Sequence, residues 1–168
     1  LGYTSGIKGP TLMILNDAII VVSIFSIFAF ALSVIDVRTH TLPNRLVFAS
    51  LLAVLCTQIT ICVQEHSWQQ LVMSTQTAGK TLLVYSLLFL FSAGRLGMGD
   101  VKYSLPIGLT IGWFAPTYWL LGIWITFLLA ALVALVQIAR NQTSLHSSIP
   151  FGPFMSLSVF ACFILQSV

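Results

Sequence analysis

The stretch AIIVVSIFSIFAFALSVIDV, residues 18–37, carries no charged side chain until Asp36. A helix of this length measures about 30 Å, which is the thickness of the hydrocarbon core of a bilayer. A helix also satisfies its own backbone hydrogen bonds, as any segment inside lipid must. The stretch therefore predicts a membrane-spanning helix with a carboxylate near one end.

The rest of the chain has the same apolar character. Of the 168 residues, 58% are hydrophobic and 7% are charged, and the mean hydropathy is +1.01. This balance is not that of a soluble domain. Apolar runs predict six spans, at residues 18–37, 46–63, 81–93, 101–112, 116–139 and 151–168. We predict an all-α fold, a polytopic membrane bundle of about six transmembrane helices.

One domain is expected. Residues 1–12 form a polar, glycine-rich N-terminal segment ahead of Met13, a candidate start, and residues 13–168 are predicted to form a single transmembrane domain. The polar segment at 64–76 is predicted to be a solvated connector between the second and third spans, which could lie along the membrane interface as a short helix.

Basic residues are more frequent on one side of the predicted bundle. Five follow odd-numbered spans and two lie on the other side. The five are Arg38, Arg45, Arg95, Lys102 and Arg140, and the two are Lys8 and Lys80. Because cytoplasmic loops carry an excess of Lys and Arg, the side with five is predicted to be cytoplasmic, with both termini outside.

Two of the four acidic residues lie at that predicted cytoplasmic boundary: Asp36 ends the first span and Asp100 begins the fourth. A charged side chain in the membrane costs about 3 kcal/mol on insertion scales, so it usually faces a cavity and marks a site. Alternatively, Asp36 pairs with Arg38 and Asp100 with Lys102 at the surface. Two neighbouring carboxyl groups share a proton, so one can activate water while the other protonates a peptide group.

Three short segments accompany these aspartates. Glycines at 94, 97 and 99 allow a close backbone approach, by which a peptide could lie against the chain, or they simply form a tight turn. In the first loop, Pro43 favours an extended residue before it, and Asn44 is predicted to cap the second helix. The stretch SIPFGPFM, residues 148–155, predicts either a re-entrant or kinked entry or a simple helix start.

Asp36 with Pro43 and Asn44, GMGDVK at 97–102, and PFGPF at 150–154 together resemble the type IV prepilin peptidases, a branch of the GxGD intramembrane aspartyl proteases. The resemblance runs from about residue 35 to 154. It implies that Asp36 and Asp100 are the catalytic pair. The supporting residues it implies are Gly97, Gly99, Lys102, Pro43, Asn44, Pro150, Phe151, Gly152 and Pro153.

The resemblance also implies an activity and a set of partners. The expected reaction is removal of the short basic leader of prepilins or pseudopilins, after a glycine, at the cytoplasmic face of the bacterial inner membrane, with no metal or organic cofactor. The expected partners are the substrate helix, membrane lipids and pilus or secretion assembly machinery. Scattered basic residues predict no nucleic-acid partner. No CxxC pair typical of the N-methylating members is present, so methyl transfer is not expected.

Two other function classes are compatible with paired carboxylates. A small transporter or proton relay would need acidic groups at several depths, whereas the opposite half of the bundle is expected to lack them. A non-catalytic scaffold of pilus assembly would use the aspartates only to pair with Arg38, Arg95 or Lys102. Substitution by asparagine separates an enzyme from a scaffold, because an acid and a base act as a unit.

Overall fold

The computed structural model describes residues 10–92, 96–140 and 150–167. These residues form six α-helices, and a short 3₁₀ turn, Pro116–Tyr118, precedes the fifth. The helices are α1 (Pro10–Thr39), α2 (Asn44–Glu65), α3 (Gln69–Phe91), α4 (Met98–Phe114), α5 (Trp119–Ala139) and α6 (Gly152–Ser167). The predicted all-α helical membrane bundle is confirmed.

Three segments among the described residues are long and apolar enough to cross a bilayer. They are Asn16–Thr39, Asn44–Glu65 and Pro116–Ala139. The described part of α6 is a shorter apolar helix, and α4 has 17 residues. The shorter helices complete the bundle by packing against the long ones.

Helix α4 lies at the centre of the bundle. Nearly all of its side chains from Asp100 onward are buried, and it contacts α1, α2, α3, α5 and α6. A helix surrounded by other helices is apolar on every side, which is why the sequence of α4 shows no polar face. This central position brings the first turn of α4 against the ends of its neighbours.

The closest packing in the bundle is between α3 and α4. A Cβ atom added to Gly108 would lie 2.6 Å from the Cα atom of Ala78, and one added to Gly112 would lie 2.6 Å from the Cβ atom of Thr77. Small residues spaced by four positions let two membrane helices approach in this way. The two glycines therefore determine how near α3 lies to the central helix.

Hydrogen bonds reinforce that packing in the half of the bundle away from Asp100. The side-chain amide of Gln58 and the hydroxyl of Ser74 both donate to the carbonyl oxygen of Leu109, at 2.9 Å and 2.8 Å. Gln58 and Ser74 are fully buried. Buried polar groups need such partners, and here they join α2 and α3 to α4.

Two expectations for the region before the third span are wrong. Residues 64–76 are not a solvated connector, because α3 begins at Gln69 and only residues 66–68 separate it from α2. Lys80 does not lie in an outer loop but on an exposed face within α3. Within this segment Ser74 is buried and bonds to Leu109 of α4, whereas its other polar residues are exposed or half-buried. Lys8 and Arg95, which also entered the charge count, lie outside the described residues.

Candidate active site

Four helix ends meet at one end of the bundle: the last turn of α1 and the first turns of α2, α4 and α6. They surround a partly open cavity of about 600 Å³. Its lining comprises Asp36, His40, Thr41, Leu42, Asn44, Leu96, Gly97, Met98, Gly99, Asp100, Lys102 and Phe151. The two aspartates singled out from the sequence thus line the same cavity, from different helices.

Asp36 lies in the last turn of α1. Its backbone carbonyl accepts a hydrogen bond from the amide of His40 at 2.8 Å, and His40 has a positive φ of 50° that ends the helix. The side chain of Asp36 is only 4% exposed. Burial on this scale requires hydrogen-bond partners for the carboxylate oxygens.

Gly152 supplies such a partner. Its backbone N–H donates to Oδ2 of Asp36 at 2.8 Å, and a Cβ atom at this position would lie 2.9 Å from the same oxygen. Because Gly152 is the first residue of α6, the carboxylate faces the positive end of that helix and one of its free N–H groups. In the described part of the segment 148–155, from residue 150 onward, α6 begins at Gly152; residues 148 and 149 lie outside the described residues, so the form of the entry stays a prediction.

Asp100 lies in the first turn of α4, three residues after the N-cap Gly97. Its side chain turns back towards Gly97, so that a Cβ atom there would lie 3.0 Å from Oδ2 of Asp100. An acidic side chain at this position of a helix stabilises the free N–H groups of the first turn. Asp100 is 9% exposed, and its carboxylate lies beside the first residues of its own helix.

The glycines beside Asp100 lie close to other residues of the protein, Leu42 and Asp100. A Cβ atom at Gly99 would lie 2.9 Å from the Cβ atom of Leu42, in the loop between α1 and α2. Gly97 faces Asp100 in the same manner. Leu42 and Asp100 occupy the directions that Cβ atoms would take at these two glycines, but both glycines also line the cavity, so a peptide lying against them stays a prediction. Gly94 lies outside the described residues.

The two carboxyl groups line the same cavity from α1 and α4. Asp36 accepts a hydrogen bond from the backbone N–H of Gly152, whereas the side chain of Asp100 turns back towards Gly97. Among the described contacts, no hydrogen bond joins the two side chains. Such a pair can act as general acid and general base.

Lys102 and Asn44 connect α4 to α2 at the rim of the cavity. The ammonium group of Lys102 donates to Oδ1 of Asn44 at 2.9 Å, and both residues are exposed. Asn44 does not cap α2 as expected, because Pro43 occupies the N-cap position and makes no side-chain capping bond. Within the described contacts, Lys102 is bound to Asn44 and not to Asp100, contrary to the surface-pair alternative.

The remaining supporting residues shape the wall formed by α6. Phe151 lines the cavity and packs against Phe127 of α5, with ring centroids 5.1 Å apart. Pro150 precedes the helix, and Pro153 lies in its first turn, where a missing N–H carries no penalty. Leu42, Leu96 and Met98 also line the cavity, and they were not predicted because isolated apolar residues have no pattern that identifies a cavity.

A second pair of acidic residues lies at the opposite end of the bundle. Asp17 lies near the start of α1, and Glu65 lies at the end of α2. The expectation that this half of the bundle lacks acidic residues is therefore wrong. All four acidic residues of the chain fall into two pairs, one at each end.

Comparison with known proteins identifies the family to which the chain belongs. A model of the type IV leader peptidase family matches residues 23–138. Two proteins named prepilin leader peptidase/N-methyltransferase, from Burkholderia pseudomallei strains 1026b and K96243, are each 32% identical to the chain over 130 residues. The aligned region covers 75% of this chain but only 40% of each relative. No solved structure matches the chain. Because the family match spans most of the chain and includes both aspartates of the cavity, the chain belongs to the type IV leader peptidase family.

Proposed function

We propose that this protein is an aspartyl endopeptidase that removes the leader of type IV-like prepilins or pseudopilins, cutting after a glycine at the cytoplasmic face of the membrane. One observation carries the proposal: Asp36 and Asp100 come from two different helices and line a single cavity at one end of the bundle. The family and the names of the relatives support a leader peptidase.

The geometry of the cavity supports hydrolysis by an acid and a base. The ionised carboxylate removes a proton from water, which attacks the peptide carbonyl, while the protonated carboxyl group donates a hydrogen bond to the carbonyl oxygen. The protonated carboxyl group then gives its own proton to the leaving amine as the C–N bond breaks, and the other carboxyl group keeps the proton taken from water. The two aspartates thereby exchange protonation states. Methyl transfer is not part of this proposal.

The position of the cavity suits a substrate that is itself a membrane helix. The cavity lies where α1 ends and α4 begins, so a substrate helix beside the bundle would present the segment next to its membrane span there. Successive helices run in opposite directions, which brings four described basic residues to this end of the bundle: Arg38, Arg45, Lys102 and Arg140. Their number supports a cytoplasmic location.

A proton relay is less compatible with the spacing of the acidic residues. Asp17 and Asp36 are on the same helix, 19 residues apart, which corresponds to about 28 Å along its axis. Neither an acidic residue nor a histidine lies between them in α1. Two acidic layers at the two ends, with none at intermediate depth, do not provide a carboxylate path across the membrane.

The proposal is tested with purified protein in detergent and a panel of prepilins and pseudopilins. Products are identified by mass spectrometry. We expect cleavage after the leader glycine, and we expect Asp36→Asn and Asp100→Asn each to lower kcat/KM by at least about a thousandfold, since the two groups act together.

Asp17→Asn is the matched control, because it neutralises an aspartate on the same helix as Asp36 but at the opposite end. It should cleave at close to the unsubstituted rate. Cleavage that survives either Asp36→Asn or Asp100→Asn in folded protein would exclude the aspartyl pair and favour a scaffold. Equal loss in all three variants would point to a general effect of removing charge.

A further inference from the structure

A second polar layer lies one helical turn below the two aspartates. Ser33 precedes Asp36 by three residues on α1, and Tyr103 follows Asp100 by three residues on α4. Ser156 follows Gly152 by four residues on α6. Residues at these spacings share one face of a helix, so each member of this hydroxyl layer (Ser33, Tyr103 and Ser156) stands below its counterpart in the cavity.

Hydrogen bonds join the hydroxyl layer into one unit centred on Ser156. Its hydroxyl lies 2.8 Å from that of Tyr103 and 3.3 Å from that of Ser33, and it donates to the carbonyl oxygen of Gly152 at 3.0 Å. A serine hydroxyl has one proton and two lone pairs. Since its proton is directed at Gly152, Ser156 accepts hydrogen bonds from both Tyr103 and Ser33.

This pattern connects the hydroxyl layer to Asp36 through a single residue. Gly152 receives the proton of Ser156 at its carbonyl oxygen and gives its own N–H to Oδ2 of Asp36. Tyr103 lies on the helix that carries Asp100, and its position is fixed by complete burial and by its ring, which stacks on Phe25 of α1 with centroids 6.2 Å apart. The contacts thus link α1, α4 and α6 directly beneath the carboxyl groups.

We propose that Tyr103, Ser156 and Ser33 are positioning residues that hold the carboxyl groups of Asp36 and Asp100 at their working separation. The inference rests on the proposed function and adds residues that do not touch the substrate. A hydroxyl layer of this kind acts on geometry, and a displacement of the order of 1 Å can cost about a hundredfold in rate. It should therefore affect turnover more than substrate binding.

The test uses Tyr103→Phe and Ser156→Ala in the full chain. Tyr103→Phe keeps the ring on Phe25 and removes only the hydroxyl. We expect each variant to lower kcat by about tenfold with KM nearly unchanged, because the lining of the cavity is intact. The double variant should lose no more than the worse single variant, since both changes break the same connection.

Ser158→Ala is the matched control, because Ser158 is a buried serine of α6 whose hydroxyl donates to the carbonyl oxygen of Met155 in its own helix at 2.7 Å. It should keep the unsubstituted kcat. The inference would be overturned by an unchanged kcat in Tyr103→Phe or by additive losses of kcat in the double variant. It would also be overturned if the loss of kcat followed the thermal midpoint in control and test variants alike. If Ser156→Ala does not fold, Tyr103→Phe decides alone.

Failure of this inference and failure of the proposed function give different results. If the unsubstituted protein cleaves prepilin and Asp36→Asn abolishes cleavage while Tyr103→Phe is fully active, the hydroxyl layer has only a structural role and the peptidase assignment stands. If Asp36→Asn retains cleavage, the assignment itself is wrong, and the hydroxyl layer loses its proposed role with it.

Discussion

The carboxylate of Asp36 is held by a backbone contact that leaves no space for a side chain. The N–H of Gly152 lies 2.8 Å from Oδ2 of Asp36, and the Cβ atom of an alanine there would meet that oxygen at 2.9 Å and Leu42 Cδ2 at 3.3 Å. An added methyl group would have to displace either the carboxylate or α6. Glycine is required here by this contact and not by its conformation, since the φ of Gly152 is not in the positive range that favours glycine.

We therefore expect Gly152→Ala to lower kcat by about tenfold to a hundredfold, because it shifts a carboxylate that must act on a positioned water molecule. Steady-state cleavage of a prepilin, with folding verified by thermal unfolding, measures the effect. Gly79→Ala is the control, since no atom lies within 4 Å of a Cβ at that position. Equal activity of the two variants would show that the contact at Gly152 has no role in catalysis.

At the level of helices, the position of Asp100 depends on how α4 is held by α3. The contact between them consists of small residues, with a Cβ atom at Gly108 meeting the backbone of Ala78 at 2.6 Å. Backbone atoms cannot move aside as the end of a flexible side chain can. Helix α4 would have to move away from α3 to accommodate any larger residue.

Gly108→Ala should therefore destabilise the protein by about 1–3 kcal/mol, the usual cost of overpacking a well-packed interior. The thermal midpoint in detergent, compared with that of Gly79→Ala, measures it. Gly79→Ala should be neutral or slightly stabilising, because alanine favours an exposed helix more than glycine does. A midpoint for Gly108→Ala at or above that of Gly79→Ala would contradict the close packing of α3 and α4.

The polar beginning of α3 shows where local sequence patterns mislead. Residues 64–76 resemble a loop in composition, yet α3 begins at Gln69, and Ser74 is fully buried against α4. Within a membrane bundle a buried hydroxyl is stabilised by a partner on another helix, here the carbonyl of Leu109. That partner is 35 residues away, so no local pattern could reveal it.

The molecule as a whole has two polar ends, and the one that carries the cavity is proposed to face the cytoplasm. Cysteine accessibility tests this orientation in a variant whose three native cysteines, Cys56, Cys62 and Cys162, are replaced by alanine. A membrane-impermeant maleimide applied to intact cells should label Ser67→Cys, in the turn between α2 and α3. It should label Arg140→Cys, at the end of α5, only after the cells are made permeable. The reverse result would invert the topology.

The sequence by itself determined the class of the molecule and its two most informative residues. The length and composition of an apolar run are local properties, so the run ending at Asp36 identified a membrane helix without any knowledge of its neighbours. Asp36 and Asp100 were noticeable for the same reason, since charge is rare in such a chain and costly in lipid. The family motifs then related these two residues to each other.

Only the tertiary structure decided what holds those residues. The partner of Asp36 is the backbone of Gly152, 116 residues away, and Leu42 occupies the direction that a Cβ atom would take at Gly99. Tyr103 and Ser156 are separated by 53 residues in the chain and by 2.8 Å in the bundle. Such contacts depend on the distance and rotation of packed helices, which many residues set together, and no single stretch of sequence specifies them.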